Sequence, residues 1–229
     1  MLKTICYPEI NKFTTAATEW GCEHEMIGIQ AYQTHMISHE EFVITKSGLH
    51  ISLDHPFLGA SPDALIECKC CRKGVVEIKC PYNCRDRSLD DVARKSFCLR
   101  KLSDGTLRLK HDHSYYYQCQ MQIFATKREF CDFVVWSSNQ LHVERLTLDE
   151  DLMASSIPIA EKFWKLCVLP ELLGKWFTHH KLPNCNVETE DDSGKWCFCK
   201  EDRGGGMIGC DGKSCEIKWF HLTCLGMTE

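Results

Sequence analysis

Two neighbouring stretches of the sequence carry two carboxylates and one amine at a spacing suited to metal-assisted chemistry. Residues 58–65 contain a Ser-Pro-Asp step that contributes Asp63, and residues 74–82 contain Glu77 and Lys79. The second stretch is apolar and β-branched between a glycine and a proline, which is typical of a buried strand. Side chains two apart on a strand share a face, so Glu77 and Lys79 point the same way. Pairing of the two stretches as a hairpin would gather the charged groups at one end of a sheet, where oxygen ligands suit Mg²⁺ and phosphate chemistry.

Length and composition restrict the class of protein. The 229 residues, 44% apolar and 26% charged, have room for one sizeable α/β domain and a small appendage. No apolar run is long enough to cross a bilayer, so no membrane partner is expected. The apolar segment at the start of the sequence is too short and too interrupted for a signal peptide. Seventeen cysteines then indicate a reducing compartment, with metal sites and free thiols. Because the net charge is −5, a positive electrostatic field that could attract a nucleic acid would have to be local.

The order Asp, then Glu-x-Lys on the next strand, resembles the PD-(D/E)xK nuclease motif. Gly-Ala-Ser-Pro-Asp followed by Glu-Ile-Lys-Cys-Pro-Tyr is similar to its YqaJ-type viral recombinase branch, the lambda-exonuclease-like nucleases. The resemblance implies an α/β fold over residues 1–180, with a restriction-endonuclease-like mixed sheet core flanked by helices. It also implies that Asp63 and Glu77 bind Mg²⁺ and that Lys79 orients the attacking water. The alternative is a surface hairpin with a solvated ion pair.

Two predicted helices add candidates. The pattern Gly-x-x-x-Glu that ends at Glu25 lies in a stretch of helical apolar spacing and resembles the first helical motif of that family, where the glutamate reaches the metal. Glu25 is therefore a candidate third carboxylate. The register alternative is Glu23, and a solvated glutamate on a helix face is the simpler interpretation.

Residues 113–126 predict the second of these helices. Its pattern Tyr-x-x-Gln-x-Gln-x-Gln resembles the last motif of the family, in which a glutamine faces the active site. Gln118, at the matching position, could hydrogen-bond a scissile phosphate or a metal-bound water, and Gln120 and Gln122 are weaker candidates. The apolar stripe of this helix is expected to pack in the core and consists of Tyr117, Met121 and Phe124.

The segments around the motif are less specific. Residues 42–45 and 49–53 predict strands of the same sheet. Three cysteines between the two catalytic strands, Cys68, Cys70 and Cys71, could form a zinc knuckle, but they do not make a pair of C-x2-C units and unpaired thiols are favoured. Residues 85–113 are rich in Arg and Lys. These side chains could contact a DNA backbone or form a solvated surface, and the sequence favours neither interpretation.

The C-terminal part of the sequence differs in character. Residues 181–195 are polar and acidic, as expected of a flexible linker. The remaining residues, 196–229, concentrate thiols and an imidazole. Thiolate and imidazole ligands together select zinc. The candidate ligands are Cys197, Cys199, Cys210, Cys215, His221 and Cys224.

The spacing of these ligands resembles a PHD finger, a cross-braced module with two zinc ions. The resemblance implies that one Zn²⁺ is shared by Cys197, Cys199, His221 and Cys224. Cys210 and Cys215 would begin a second site, which is expected to be incomplete because the final Cys-x-x-Cys of the family is missing from this sequence. The small module is therefore expected to be a partial, zinc-stabilised finger.

Aromatic residues of the finger indicate a ligand. Trp196, Met207 and Trp219 stand where fingers of the inhibitor-of-growth type place a methyl-lysine cage, whose ring faces attract a quaternary ammonium. Packing against the zinc site is the alternative for Trp219.

These features together predict a Mg²⁺-dependent deoxyribonuclease whose partners are DNA and a methylated histone tail. The resemblance to lambda exonuclease implies attack on linear ends and a ring-shaped homo-oligomer. A chromatin-reading finger beside a viral-type nuclease implies a nuclear location and a viral or mobile-element gene in a eukaryote. The competing hypothesis is a catalytically inactive nuclease scaffold that acts as a chromatin-binding interaction protein. The joint presence of Asp63, Glu77 and Lys79 disfavours it.

Overall fold

The computed structural model of the chain describes residues 2–9, 14–92 (without the side chain of residue 92), 97–178, 197–199, 201, 206–209, 217 and 219–227. The chain divides into two compact units, Met1–His180 and Lys181–Glu229. The predicted linker lies outside the described residues, as do Trp196, Cys210 and Cys215. Among the helices of the described ranges, none combines the length and the apolar character that crossing a membrane requires.

The first unit has six described α-helices and nine described strands. The helices are α1 (Leu2–Cys6), α2 (Ala16–His35), α3 (Leu89–Val92), α4 (Ser114–Thr126), α5 (Glu150–Phe163) and α6 (Leu169–Gly174). The strands are β1 (Val43–Lys46), β2 (His50–Ile51), β3 (Gly59–Ala60), β4 (Ala64–Cys68), β5 (Arg72–Lys79), β6 (Leu99–Lys101), β7 (Leu107–Leu109), β8 (Phe130–Ser137) and β9 (Gln140–Thr147).

A mixed sheet forms the centre of this unit. Its strand order is β1-β4-β5-β8-β9, in which β5 and β8 are parallel and the other neighbours are antiparallel. The predicted α/β fold, a mixed sheet flanked by helices, is confirmed. The strand β5 lies in the middle of the sheet, so side chains on both of its faces are buried.

Two apolar clusters cover the two faces of the sheet. On one face, α4 contributes Cys119 and Ile123 to a cluster with Val75 of β5. On the other face, Tyr32 of α2 and Met36, which directly follows α2, form a cluster with Val76 and Ile78 of β5. Alternate residues of β5 therefore meet different helices, as the period of two along a strand requires.

Helix α2 begins with a capping box. The Thr15 hydroxyl accepts from the backbone N–H of Thr18, and the Thr18 hydroxyl accepts from the backbone N–H of Thr15. This helix approaches β5 closely at Gly28, because a Cβ added there would lie 2.6 Å from Ile78 Cγ2. The missing side chain at Gly28 thus lets α2 bring its neighbouring turn, which carries Glu25, to the end of β5.

Strands β4 and β5 form the predicted hairpin. Cys68 pairs with Arg72 across a turn of residues 69–71, and Ala64 pairs with Val76. Arg72 has a φ of 70°, a left-handed conformation, at the point where the chain leaves the turn and enters β5. Asp63 directly precedes β4, so it lies at the open end of the hairpin.

Two expectations about the fold are wrong. Residues 50–51 form β2, which pairs with β3 in a separate two-stranded sheet and does not join the central one. The alternating pattern at 49–53 identified extended chain but could not identify its partner. On α4, Tyr117 is half-exposed, and the stripe that faces the core consists of Tyr116, Cys119 and Ile123.

The second unit is small. Its described strands, β10 (Met207–Gly209) and β11 (Trp219–His221), pair antiparallel. Two of its metal-ligand candidates, Cys197 and His221, are buried, at 2% and 3% exposure. Burial of ligands rather than of large apolar side chains is typical of a zinc-stabilised module.

Candidate active site and zinc centre

Glu77 is the centre of the candidate active site. Its side chain is only 1% exposed although it carries an ionisable group. Gln118 Nε2 donates to Glu77 Oε1 at 2.6 Å, and Gln122 Nε2 donates to Glu77 Oε2 at 2.5 Å. Lys79 Nζ donates to Oε1 as well. Charge-assisted hydrogen bonds of this kind compensate the burial of a carboxylate.

Lys79 is the cation of the site and is partly accessible. Its side chain is 21% exposed, and its Nζ lies 4.6 Å from the centre of the Tyr115 ring. Burial by itself would lower the pKa of Lys79, but the charge of Glu77 and the hydrogen bond to it outweigh burial, so the pKa is raised. The amine is therefore charged at neutral pH and can face a bound anion.

Asp63 lies at the open end of the hairpin. Its Oδ2 accepts a hydrogen bond from the backbone N–H of Ile78 at 2.6 Å. Burial, followed by the negative charges of Glu77 and Glu25, raises the pKa of Asp63 to about 7. Three carboxylates thus lie within electrostatic reach of one another, with Lys79 as the cation that acts against this shift. Such an excess of negative charge at one place favours a bound cation.

The structure also distinguishes the two glutamates of α2. Glu25 is half-buried and raises the pKa of both Asp63 and Cys80 through its charge. Glu23 is exposed on the same helix. Of the two registers considered from the sequence, the one with Glu25 brings a carboxylate to Asp63.

The three glutamines of α4 have different roles. Gln118 and Gln122 are four residues apart and share a helix face, so both reach Glu77. Gln120 points elsewhere: its Nε2 donates to the Thr147 carbonyl at 3.0 Å, and its Oε1 accepts from the Asp149 backbone N–H at 2.7 Å. Gln120 and Gln122 were equal candidates from the sequence, although helical periodicity places only Gln122 on the same face as Gln118.

Mg²⁺ fits the chemistry of this donor set. Asp63, Glu77 and Glu25 offer hard carboxylate oxygens, and burial with the charges of Glu77 and Glu25 raises the pKa of Asp63. Asp63 Oδ1 accepts no hydrogen bond from the described residues, which leaves it available to a ligand.

Three basic residues of the segment 85–113 form ion pairs with acids in the described structure: Arg85, Lys101 and Arg108. Arg85 lies over the Tyr82 ring and contacts Asp86 at 3.1 Å. Lys101 contacts Asp90 at 2.8 Å. Residues 93–96 of this segment lie outside the described ranges. DNA contacts by this segment stay a prediction.

In the second unit, the structure brings together four predicted zinc ligands. The Sγ atoms of Cys197, Cys199 and Cys224 and a ring nitrogen of His221 all lie within 4.8 Å of one another. His221 Nδ1 is 3.4 Å from Cys199 Sγ and 3.8 Å from Cys224 Sγ. Burial would raise the pKa of Cys197, but hydrogen bonds from the backbone of Cys199 and His221 outweigh it and lower the pKa to about 6. Formation of the Cys197 thiolate, which zinc binding requires, is therefore favoured.

Two of the three cage candidates are described. Met207 pairs with His221 and Gly209 pairs with Trp219, so Met207 and Trp219 are diagonal neighbours on one face of the ribbon. Trp219 is 44% exposed, which leaves its ring accessible to a ligand. The third candidate, Trp196, lies outside the described residues.

Known proteins resemble the two units separately. Curated relatives match the C-terminal region, which fits a PHD finger. The chromatin modification-related protein png1 of Schizosaccharomyces pombe is 44% identical over 48 residues, 20% of this chain and 17% of that protein. The transcriptional regulatory protein PHO23 of Saccharomyces cerevisiae is 50% identical over 32 residues, 14% of this chain and 10% of that protein. The chain therefore spans less than a fifth of the length of these relatives.

The first unit is similar to a solved structure. The alkaline exonuclease LHK-Exo of Laribacter hongkongensis is 25% identical over 72% of each chain, with a TM-score of 0.46, and its complex with dAMP gives a TM-score of 0.48. A family model, described as the YqaJ-like viral recombinase domain, matches residues 2–129. This range includes the hairpin, both helices that supply candidate residues and more than half of the sequence, so the chain belongs to the YqaJ-like viral recombinase domain family.

Proposed function

We propose that the first unit is a Mg²⁺-dependent deoxyribonuclease that hydrolyses phosphodiester bonds. The observation that carries this proposal is the buried Glu77 carboxylate, held by three donors beside two further carboxylates. Mg²⁺ bound by Asp63 and Glu77, with Glu25 as a third carboxylate, would activate water and neutralise phosphate charge. Membership of a viral recombinase family supports a DNA substrate.

The residues around Glu77 have distinct tasks in this proposal. Gln118 and Gln122 hold the carboxylate in a fixed orientation. Because Gln118 shares Oε1 with Lys79, the amine can turn towards a bound phosphate while the carboxylate stays in place. The charge of Lys79 then orients the nucleophile and stabilises the negative charge that develops at phosphorus, which is most effective in a site with little water.

We further propose that the enzyme acts from duplex ends, as an exonuclease, and that it works as a homo-oligomer. The titles of the similar solved structures support the first part, since both concern an exonuclease. The test is incubation of the whole chain with linear and covalently closed duplex DNA, with Mg²⁺ and with EDTA. We expect loss of the linear DNA alone, in Mg²⁺ alone. Nicking of closed circles at the same rate would contradict an exonuclease, and no cleavage of either would favour the scaffold hypothesis.

We propose that the second unit binds a methylated histone tail and that the protein is nuclear. The chromatin-related names of its relatives and the exposed Trp219 beside Met207 support this proposal. Titration of the whole chain with a trimethyl-lysine histone peptide and its unmethylated form tests it. We expect weak binding, with a preference for the methylated peptide that is lost in Trp219→Ala. Equal binding of both peptides would remove the cage from the proposal.

A further inference from the structure

A second group of one imidazole and three thiols lies in the first unit, away from the carboxylates. It consists of His39, four residues after the end of α2, and of Cys68, Cys70 and Cys71 at the turn of the β4–β5 hairpin. One ligand atom from each of the four lies within 4.8 Å of the other three. The chain regions that supply them are distant in sequence, so the fold has assembled this group.

The distances agree with a tetrahedral site. Zn–S bonds of about 2.3 Å and Zn–N bonds of about 2.0 Å place neighbouring sulfurs about 3.8 Å apart, and nitrogen about 3.5 Å from each sulfur. His39 Nδ1 is 3.1, 3.2 and 3.9 Å from the sulfurs of Cys70, Cys71 and Cys68. Cys70 Sγ is 3.6 Å from Cys68 Sγ and 3.9 Å from Cys71 Sγ. All three thiols are free, and these separations are far longer than a disulfide bond.

Neighbouring polar groups hydrogen-bond these candidate ligands and orient them, as the groups around the ligands of a metal site do. The backbone N–H of Cys71 donates to Cys68 Sγ at 3.1 Å. The Arg145 side chain hydrogen-bonds Cys71 and is itself held by two 2.8 Å contacts to Asp132. A backbone hydrogen bond from Lys69 to the Glu40 carbonyl, 3.0 Å, joins the turn to the segment that carries His39. Donors aimed at sulfur stabilise thiolates and fix their direction.

We propose that His39, Cys68, Cys70 and Cys71 bind one structural Zn²⁺. Soft thiolates with an imidazole select this metal, and four protein ligands close its coordination sphere, so the ion would hold structure and carry out no chemistry. The ion would connect the turn of the hairpin to the segment that follows α2 and carries His39. The hairpin and α2 are the two elements that bring Asp63, Glu77 and Glu25 together. The proposal does not depend on the nuclease function.

The first test counts zinc in the whole chain by elemental analysis. Two of the four ligands of the second unit are replaced in Cys199→Ser with Cys224→Ser, so that one Zn²⁺ per chain is expected to remain. Adding His39→Ala and Cys70→Ser should reduce the zinc to none. Adding Cys22→Ser, an exposed cysteine on α2 outside both groups, should leave one. Absence of zinc before the His39 and Cys70 changes, or its persistence after them, would overturn the proposal.

The second test keeps the native ligands and so does not depend on the folding of a variant. The Cys199→Ser, Cys224→Ser chain is refolded with Co²⁺ in place of Zn²⁺ under reducing conditions. We expect tetrahedral visible bands and a thiolate-to-cobalt charge-transfer band with the intensity of three thiolates. A spectrum of octahedral Co²⁺ without a charge-transfer band would refute the site.

Discussion

The two ends of the β4–β5 hairpin differ in chemistry although one short strand separates them. The open end carries Asp63 and Glu77, hard oxygen donors, whereas the turn carries three thiols beside His39. At about 3.4 Å per residue, the five steps from Asp63 to Cys68 cover roughly 17 Å. Two metals of opposite preference can therefore occupy one hairpin without competing for ligands.

Along this hairpin, the type of ligand at each end matches the role proposed for its metal. Oxygen ligands with an open sphere suit a metal that must accept substrate, and thiolates with a closed sphere suit a metal that only holds the chain. If this division is correct, substitutions at the two ends should separate activity from zinc content.

The largest expected effect is at the open end. Glu77→Gln should abolish Mg²⁺-dependent cleavage, a loss of about 10³-fold or more, because an amide is a poor Mg²⁺ ligand and presents an N–H to the Gln122 donor. Zinc content should not change. The measurement is the rate of digestion of linear duplex DNA with parallel elemental analysis.

The matched control is Glu67→Gln on β4 of the same hairpin, a half-exposed glutamate that pairs with Arg128 at 3.0 Å. It should retain cleavage within about twofold, since a surface ion pair contributes little. Cleavage by Glu77→Gln at the rate of this control would refute the assignment of β5.

An intermediate effect is expected at the turn. Cys70→Ser should remove one Zn²⁺ and lower the thermal midpoint of the first unit by several degrees, because the connection between the turn and the segment that follows α2 is lost. Cleavage below that midpoint should fall only severalfold, since Cys68, where the turn begins, is roughly 17 Å from Asp63 by strand length. Complete loss of cleavage in a folded Cys70→Ser chain would contradict the separation of the two ends.

The smallest effect concerns pH. The pKa of Asp63 is raised to about 7 in the folded chain, and an unfolded aspartate has a pKa of about 3.9. Between these values the folded state keeps a proton that the unfolded state has released, so the free energy of unfolding should decrease as pH rises from about 4 to about 7. Asp63→Asn should lack this decrease. Urea unfolding at pH 5 and pH 7.5 without Mg²⁺ measures it.

The same pair of proteins tests cation binding. Mg²⁺ added at pH 7.5 should raise the thermal midpoint of the unsubstituted chain, because the cation compensates the ionised carboxylates, and should raise that of Asp63→Asn much less. An equal pH dependence in both proteins would show that Asp63 has an ordinary environment.

Much of the fold could be predicted from local patterns, and the site only in part. The period of two identified β5 with Glu77 and Lys79 on one face, and helical apolar spacing identified α2 and α4. His39 could not be predicted as a partner of Cys68, because 29 residues separate them and only the packing of α2 on the sheet brings them together. The sheet membership of residues 50–51 was wrong for the same reason: strand pairing is a tertiary property.

The parallel pairing of β5 with β8 has a consequence for the order in which the protein folds. The β4–β5 hairpin closes over a turn of three residues, so Cys68, Cys70 and Cys71 meet early and at small entropic cost. Pairing of β5 with β8 must wait for the crossover of residues 80–129, which includes α4 with Gln118 and Gln122. Non-local contacts of this kind form slowly. A nascent chain therefore lacks the Gln118 and Gln122 donors to Glu77 until α4 docks, after the hairpin has formed.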